Sequence, residues 1–427
     1  MPAADPSAVI ADRAPAHDRA GPGAADSYEA SVRFTLELGR ALHCYGTPAH
    51  RLEEVMTLVS AQLGLVARFV STPTSINASF GPPEALRTTI IRVEPGGVDL
   101  DRTSRLDEVA NAVIERRMSP GEGAQAIGAI LARPPTYGPL ITVACYGLSA
   151  AAGADLFGGG LKEVAVSFGI GLVIGVLALL AGKIPGLARG FEPTGAFIAS
   201  AASVVLTRVL GHFSTEVTTL AALVYLLPGL TLTLAMTELA TRNLMSGTSR
   251  MTGAAMVFLQ LAFGVALGRR VDVLLPKAPP VVELIQLPAW TTVPTLIVIT
   301  LSLAVLFRAR LRDVGWILLA AVLAYGGGRL GARWLGPELG AFVGALALGV
   351  VSNAIARALN RPTAITTVPG VMVLVPGSVG FRSLESMMAQ DVVAGLATAF
   401  SMILVLVGMA AGLILANSIV PPRKVQL

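Results

Sequence analysis

Between residues 134 and 427 the chain holds ten stretches without a single Asp, Glu, Lys or Arg. They cover 134–154, 164–182, 193–207, 217–237, 251–268, 284–307, 314–328, 339–356, 362–381 and 392–422, and are 15 to 31 residues long. A helix needs about 20 mostly apolar residues to cross a hydrocarbon core. Ten such runs therefore predict a mainly α membrane protein with about ten transmembrane helices. The two shortest windows, 193–207 and 314–328, have arginines nearby that can snorkel to the interface. The other reading of short windows is a re-entrant segment. Only 14% of the chain is charged, against about 25% in soluble domains. A soluble enzyme, a disordered chain and a coiled coil are excluded on that ground.

The charge is unevenly distributed. Residues 1–133 carry 13 Arg, no Lys and 16 acidic residues, whereas 134–427 carry 19 basic and 11 acidic residues. The excess of base thus belongs to the apolar part, where Lys and Arg flank membrane spans. A nucleic-acid surface needs a basic soluble face, so no nucleic-acid partner is expected. With the N-terminal region on the cytoplasmic side, inside loops and tail hold 11 basic residues and outside loops 8. That places the N-terminus in the cytoplasm.

Five regions follow. Residues 1–27, rich in Ala, Pro, Gly and Asp, read as a disordered tail without the apolar core of a signal peptide. Residues 28–133 read as a small soluble α/β domain. Its predicted helices are Tyr28–Leu42, a second one capped by Thr47 with Pro48 at its first position, Leu106–Arg117 and Gly121–Leu131. Its predicted strands are Leu65–Val70, Ser75–Phe80 and Arg87–Val93. Residues 134–270 hold five spans, 271–288 connect, and 289–427 hold five more.

The two sets of spans carry matching motifs. Gly195-Ala-Phe-Ile-Ala199 parallels Gly340-Ala-Phe-Val-Gly344, and Leu226-Leu-Pro-Gly229 parallels Leu374-Val-Pro-Gly377, at offsets of 145 and 148 residues. Five is odd, so the second set enters from the opposite side. The expectation is a 5+5 inverted repeat with broken helices near the midplane, a recurrent design of secondary transporters.

The candidate site follows from the breaks. Proline removes a backbone donor and interrupts the helix. The half-helix beyond offers free N–H groups and a positive dipole end to an anion. Pro228, Gly229, Thr231 and Thr233 in one break, and Pro376, Gly377, Ser378 and Ser383 in the other, are the expected substrate contacts. The alternative is a packing kink whose hydroxyls bond back to the helix. A glutamate follows each proline, Glu238 after ten residues and Glu385 after nine. A carboxylate beside a span faces water or a partner, and burial can raise its pKa enough to carry a proton. Glu238 and Glu385 are the expected proton-coupling residues. In the alternative they are loop-end carboxylates paired with Arg242 and Arg382. Glu216 and Asp391 at span ends are lesser candidates, and Asn353 is expected to bond between helices. Gly171/Gly175, Gly264/Gly268, Gly340/Gly344 and Gly408/Gly412 read as close-packing pairs.

The soluble region carries no nucleophile elbow, phosphate loop or H-E-x-x-H motif. His43, Cys44, His50, Glu53 and Glu54 cluster in sequence, but their spacing fits no standard metal motif. Neither a metal nor another cofactor is expected, and Cys44 and Cys145 form no disulfide framework.

The segments Leu42–Met56, Leu226–Gly247 and Val368–Met387, above all Pro376-Gly-Ser-Val-Gly-Phe-Arg382, resemble the threonine/serine exporter family over roughly residues 30–420. The first part looks like the family's N-terminal half, soluble domain plus five spans, and the rest like its smaller C-terminal half. The resemblance implies antiport of threonine and serine against protons, driven by the proton motive force. The membrane would be the plasma membrane or bacterial inner membrane. It assigns no site residues, and relatives with other small amino acids or dicarboxylates as substrates are compatible with it. The expected partners are threonine, serine, protons and the lipid bilayer, and a homo-oligomer is compatible with the sequence. The competing expectation is a membrane-anchored enzyme or sensor whose activity resides in 28–133.

Overall fold

The computed structural model describes residues 22–94, 96–276, 286–374, 376–388 and 390–422. The N-terminal region contains α1 (Pro22–Cys44), α2 (Ala49–Gln62), β1 (Ala67–Thr72), β2 (Ser75–Phe80), β3 (Arg87–Arg92), α3 (Leu100–Ile114) and α4 (Pro120–Leu131). The strands form one antiparallel sheet in the order β1-β2-β3. Thr72 pairs with Ser75 across a two-residue turn, and Ile76 pairs with Ile91. Alternation along β2 sends Ile76, Ala78 and Phe80 inward onto Phe34, Leu38, Leu52 and Met56 of the helices. Phe69 meets Phe80 edge to face at 5.7 Å.

Five element starts differ from expectation; β1 begins at Ala67 rather than Leu65, and α4 at Pro120 rather than Gly121. α1 begins at Pro22, so 22–27 of the expected tail are helical; proline is tolerated in a first turn and alanine is the best helix former. Residues 1–21 of that tail lie outside the described residues. α2 begins at Ala49, and Pro48 at the N-cap makes no side-chain cap bond, so Thr47 does not cap it. α3 begins at Leu100 rather than Leu106, because Asp99 caps it by accepting from the Arg102 N–H at 3.0 Å. Its first turn buries the polar Asp101, Thr103 and Ser104, which hid it from an apolar-periodicity reading. α4 opens with a capping box of Ser119 and Glu122.

The remainder comprises α5 (Pro139–Leu156), α6 (Leu161–Ala181), the short α7 (Pro185–Arg189), α8 (Phe191–Leu210), α9 (Thr215–Ala222), α10 (Gly229–Ala240), α11 (Leu244–Arg269), α12 (Thr292–Leu306), α13 (Val314–Leu335), α14 (Pro337–Leu359), α15 (Ala364–Val373), α16 (Pro376–Met388) and α17 (Val392–Ile419). Among the described residues nine helical segments are long and apolar enough to cross a membrane, with α15 and α16 taken as one. The protein is a multi-pass membrane protein. The run expected over 217–237 is instead two short helices, α9 and α10, interrupted over residues 223–228. Half of the expected connection, 277–285, lies outside the described residues, which resume at Gln286.

Glycine pairs set the closest helix contacts. A Cβ on Gly264 of α11 would come within 2.3 Å of the Pro193 carbonyl oxygen and 2.7 Å of the Ala196 Cβ, both on α8. Gly268 is equally tight against Ser200 Cβ at 2.6 Å, and the Ser200 hydroxyl donates to the Val265 carbonyl at 3.0 Å. On α17, Gly412 presses on the Phe342 carbonyl of α14. Gly264→Leu is expected to force α8 and α11 apart. Overpacking of this kind costs about 1–3 kcal/mol, read as a lower thermal midpoint in detergent. Gly253→Ala in the same helix, where a Cβ meets nothing within 4 Å, should leave the midpoint unchanged.

Candidate functional site

The two Pro-Gly breaks lie against each other. α9 ends at Ala222, and the chain turns through Leu226 N–H to Leu223 O (2.8 Å) and Gly229 N–H to Leu227 O (2.8 Å). Helical bonding resumes as the Leu232 N–H reaches the Pro228 carbonyl at 2.9 Å. A Cβ on Gly377, at the start of α16, would lie 3.0 Å from Leu227 Cβ and 3.3 Å from the Gly229 nitrogen. The N-termini of α10 and α16 therefore converge, and both positive dipole ends point into one region. Beside the Pro228 break, Glu192, Tyr225, Pro228, Thr231, Phe307 and Met372 line a cavity of about 350 Å³.

The expected hydroxyls divide. Thr231 lines that cavity. Thr233 donates to the Gly229 carbonyl at 2.9 Å, and Ser383 donates to the Gly395 carbonyl of α17 at 2.7 Å. Both are committed to backbone, and Ser378 is buried. Tyr225 was not singled out from the sequence. Its ring stacks edge to face on Tyr146 at 5.0 Å and lies 5.8 Å from Phe307.

Both glutamates are ion-paired, but not with the arginines nearest in sequence. Glu238 is fully buried and pairs with Arg250 at 3.0 Å. Glu385 pairs with Arg269. Both arginines belong to α11. They are 19 residues apart, which is about 28 Å along a helix, close to the roughly 30 Å of a hydrocarbon core. The two pairs thus sit near opposite membrane faces. The pairing of Glu238 with Arg242 and of Glu385 with Arg382 is corrected accordingly. Arg242 lies past the end of α10 with φ +65°, so the helical geometry that would bring it back to Glu238 no longer exists. The Arg382 guanidinium lies over the Phe157 ring at 5.6 Å.

Glu238 also makes the contact that Thr47 was expected to make. Its Oε1 accepts from the Ala49 N–H at 3.0 Å, across 189 residues of sequence. A carboxylate on α10 therefore caps α2 of the N-terminal region. The Ser246 hydroxyl adds a bond to the Ser71 carbonyl at 3.1 Å. A second attachment joins α3 to the 307–312 loop. Leu100 N–H and Asp101 N–H donate to the Phe307 and Arg308 carbonyls at 2.9 and 3.1 Å. Arg308 pairs with Asp99 at 3.0 Å, and Arg310 pairs with Asp101 and Glu108 at 2.6 Å each. Burial raises the Asp101 and Glu108 pKa values, but hydrogen bonds and charge from Arg310 and its neighbours outweigh it. Both carboxyls lie below their ordinary range.

Several of the remaining candidates have structural partners, whereas the buried His50 Nδ1 has none. His43 Nε2 lies 2.9 Å from the Pro73 carbonyl, Glu53 accepts from the Ser71 N–H at 2.6 Å, and Glu54 pairs with Arg51 at 2.7 Å. Among the described residues no three metal-binding side chains converge. Asn353 donates to Asn417 and to the Val420 carbonyl, both at 2.8 Å, and Asp391 caps α17. Burial, reinforced by the charge of Arg51, pushes His50 from 6.5 down to about 4. A histidine with a depressed folded pKa stabilises the fold above its unfolded value and loses that contribution as pH falls toward the folded one. Between pH 6.5 and 4 the loss reaches about 3 kcal/mol. His50→Gln is expected to flatten this acid limb of the thermal-midpoint profile; an unchanged profile would show that His50 does not titrate there.

A family profile described as "Putative threonine/serine exporter" matches residues 33–271, and one described as "Threonine/Serine exporter, ThrE" matches residues 293–419. Among curated proteins, Pheromone-regulated membrane protein 10 of Pichia sorbitophila is 28% identical over 374 residues, covering 82% of this chain and 36% of the relative. The protein of that name in Saccharomyces cerevisiae is 26% identical over 368 residues, covering 82% and 47%. The one in Kluyveromyces lactis is 32% identical over 244 residues, covering 55% and 25%. The chain thus spans less than half the length of these relatives. No solved structure matches.

Proposed function

Because the chain belongs to the threonine/serine exporter family, we propose that it is a secondary transporter moving threonine and serine out across a plasma membrane in exchange for protons. The observation that carries the reading is the meeting of the two Pro-Gly breaks, with Gly377 against Leu227 and Gly229. Two positive helix ends in one place suit a carboxylate. An interrupted backbone at membrane depth is tolerated where it lines a cavity or is buried in protein, and the cavity beside Pro228 provides the first. Pro228, Gly229, Thr231, Pro376 and Gly377 are the proposed substrate contacts. Thr233, Ser378 and Ser383 support them from behind.

On this reading the two sets of spans are an inverted repeat, and each contributes one broken helix. The soluble region faces the cytoplasm, in keeping with the 11-to-8 bias in basic residues. Glu238 and Glu385, held by Arg250 and Arg269, are the proposed proton-coupling carboxylates at the two faces. The curated relatives named above are yeast proteins, so the proposal is a plasma membrane without restriction to bacteria.

The test uses purified protein in liposomes loaded with labelled threonine. Release that depends on an imposed proton gradient, and is competed by serine and not by leucine, is the expected result. Gradient-independent release would remove proton coupling. No release from folded, oriented protein, with threonine or any other small amino acid, would overturn the transport reading.

A further inference from the structure

A second, smaller cavity lies where the soluble region covers the bundle. It measures about 130 Å³ and is lined by Thr47, Pro48, Arg51, Leu230, Leu234 and Thr367, among others. Thr47, Pro48 and Arg51 belong to the soluble region. Leu230 and Leu234 lie on α10, and Thr367 lies on α15, the segment that precedes the second Pro-Gly break. The cavity is thus bounded by both interrupted helices on one side, and on the other by the 45–48 turn with Arg51 and by Val98, Leu100 and Thr103 at the start of α3. That turn is fastened one residue further on, where the Ala49 N–H donates to the buried Glu238 of α10.

We propose that this cavity is the cytoplasmic loading site for a small amino acid, that the 45–48 turn is its lid, and that the Ala49–Glu238 bond is the latch. The inference rests on the transport reading above and adds to it a site and a role for the soluble region. The size excludes large solutes, being well below the roughly 300 Å³ at which drug-sized sites begin. The aliphatic walls of Leu230 and Leu234 suit a short side chain. Arg51, which also holds Glu54 at 2.7 Å, supplies positive charge for the solute carboxylate, and Thr47 and Thr367 only border the space. The latch places the lid under the control of one carboxylate. Ionised, Glu238 holds both the α2 N-terminus and Arg250. Neutralised, it loses the charge that favours both contacts, and the hold of α10 on the turn weakens. The charged groups facing this carboxylate are Arg250 on α11 and Glu53 on α2; His43 on α1 and His50 on α2 lie within the field of Arg250, and Arg51 and Glu54 within that of His50.

The experiment uses the full chain with Cys44→Ser and Cys145→Ala, reconstituted in liposomes. Thr47→Cys and Thr367→Cys are introduced and bridged with a reducible bifunctional thiol reagent. Bridging is expected to reduce threonine flux at least tenfold, with recovery on reduction. Flux unchanged in bridged protein overturns the lid. In the single variant Thr367→Cys, a membrane-impermeant thiol reagent on the domain side should label the cysteine slowly, and threonine should slow it further while leucine does not. Absence of protection by threonine overturns the loading site. Adding Glu238→Gln should speed labelling at least fivefold, and an unchanged rate overturns the latch. The bridging arm retains Glu238, so it decides the lid even if that variant fails to fold. Labelling needs no flux. A liposome that shows no transport therefore counts against the transport reading, while the labelling rates still judge the site.

Discussion

Glu238→Gln is expected to reduce gradient-driven threonine release by at least tenfold while the protein still folds. Glutamine keeps the size of the side chain and can still accept from the Ala49 N–H. It cannot carry a proton, and it leaves Arg250 facing a neutral group. Arg250 is only 13% exposed and its partner is fully buried. Removing one member of a buried pair costs about 3–5 kcal/mol, an upper bound here because Arg250 retains some solvent. Part of that loss should appear as a lower thermal midpoint. Arg250→Gln should lower the midpoint by a similar amount, because it strands the carboxylate instead. The two variants differ in transport: on the proposed mechanism Arg250→Gln keeps a titratable group and retains gradient dependence. Driven release at the wild-type rate in Glu238→Gln would exclude this carboxylate from coupling.

The same residue marks the boundary of what the sequence discloses. Apolar runs located nine candidate spans among the described residues, the 217–237 run excepted, because lipid demands long charge-free helices whatever their neighbours. The Pro-Gly breaks were legible too, because proline interrupts a helix locally. Strand β2 matched its expected bounds, since alternation and flanking turns act within a few residues. The partners of the glutamates were not legible. Arg242 and Arg382 are closest in sequence, but the chain turns at Arg242, and α11 lies alongside to supply Arg250 and Arg269. The cap of α2 was misassigned to Thr47 for a related reason. The N–H group at Ala49 needed an acceptor, and the nearest in space came from 189 residues away. The start of α3 was missed because its polar first turn is buried against the 307–312 loop. Loop arginines read from sequence as markers of orientation, whereas Arg308, Arg310 and Arg312 meet acidic residues of the N-terminal region. Local rules reach as far as one helix or hairpin, and tertiary pairing of charges lies beyond them.

Arg310→Ala is expected to loosen the N-terminal region from the helix bundle at α3. The Arg310 side chain is 12% exposed and holds Asp101, itself 11% exposed, together with the more accessible Glu108. Losing the buried member of this trio costs about 3 kcal/mol or more, equivalent to roughly a hundredfold in an opening equilibrium. The place to read it is the first turn of α3, whose Leu100 and Asp101 N–H groups bond the Phe307 and Arg308 carbonyls. Hydrogen exchange at those amides should accelerate by about two orders of magnitude, while amides of the α1 core do not change. Asp101→Asn should give a smaller effect, and the double variant less than the sum of the two, because both singles remove one shared interaction. The pH dependence has a definite sign. Asp101 and Glu108 lie below their ordinary carboxylate range, so their contribution is complete above the unfolded value near 4 and disappears as pH falls through the lowered folded values. At that attachment the wild type should stay protected through mildly acidic pH, whereas the α2 end loosens earlier as His50 gains a proton. With different acid limits at the two attachments, exchange on acidification is expected to rise first in α2 and only later in the first turn of α3; simultaneous onset would show that His50 sets no separate limit.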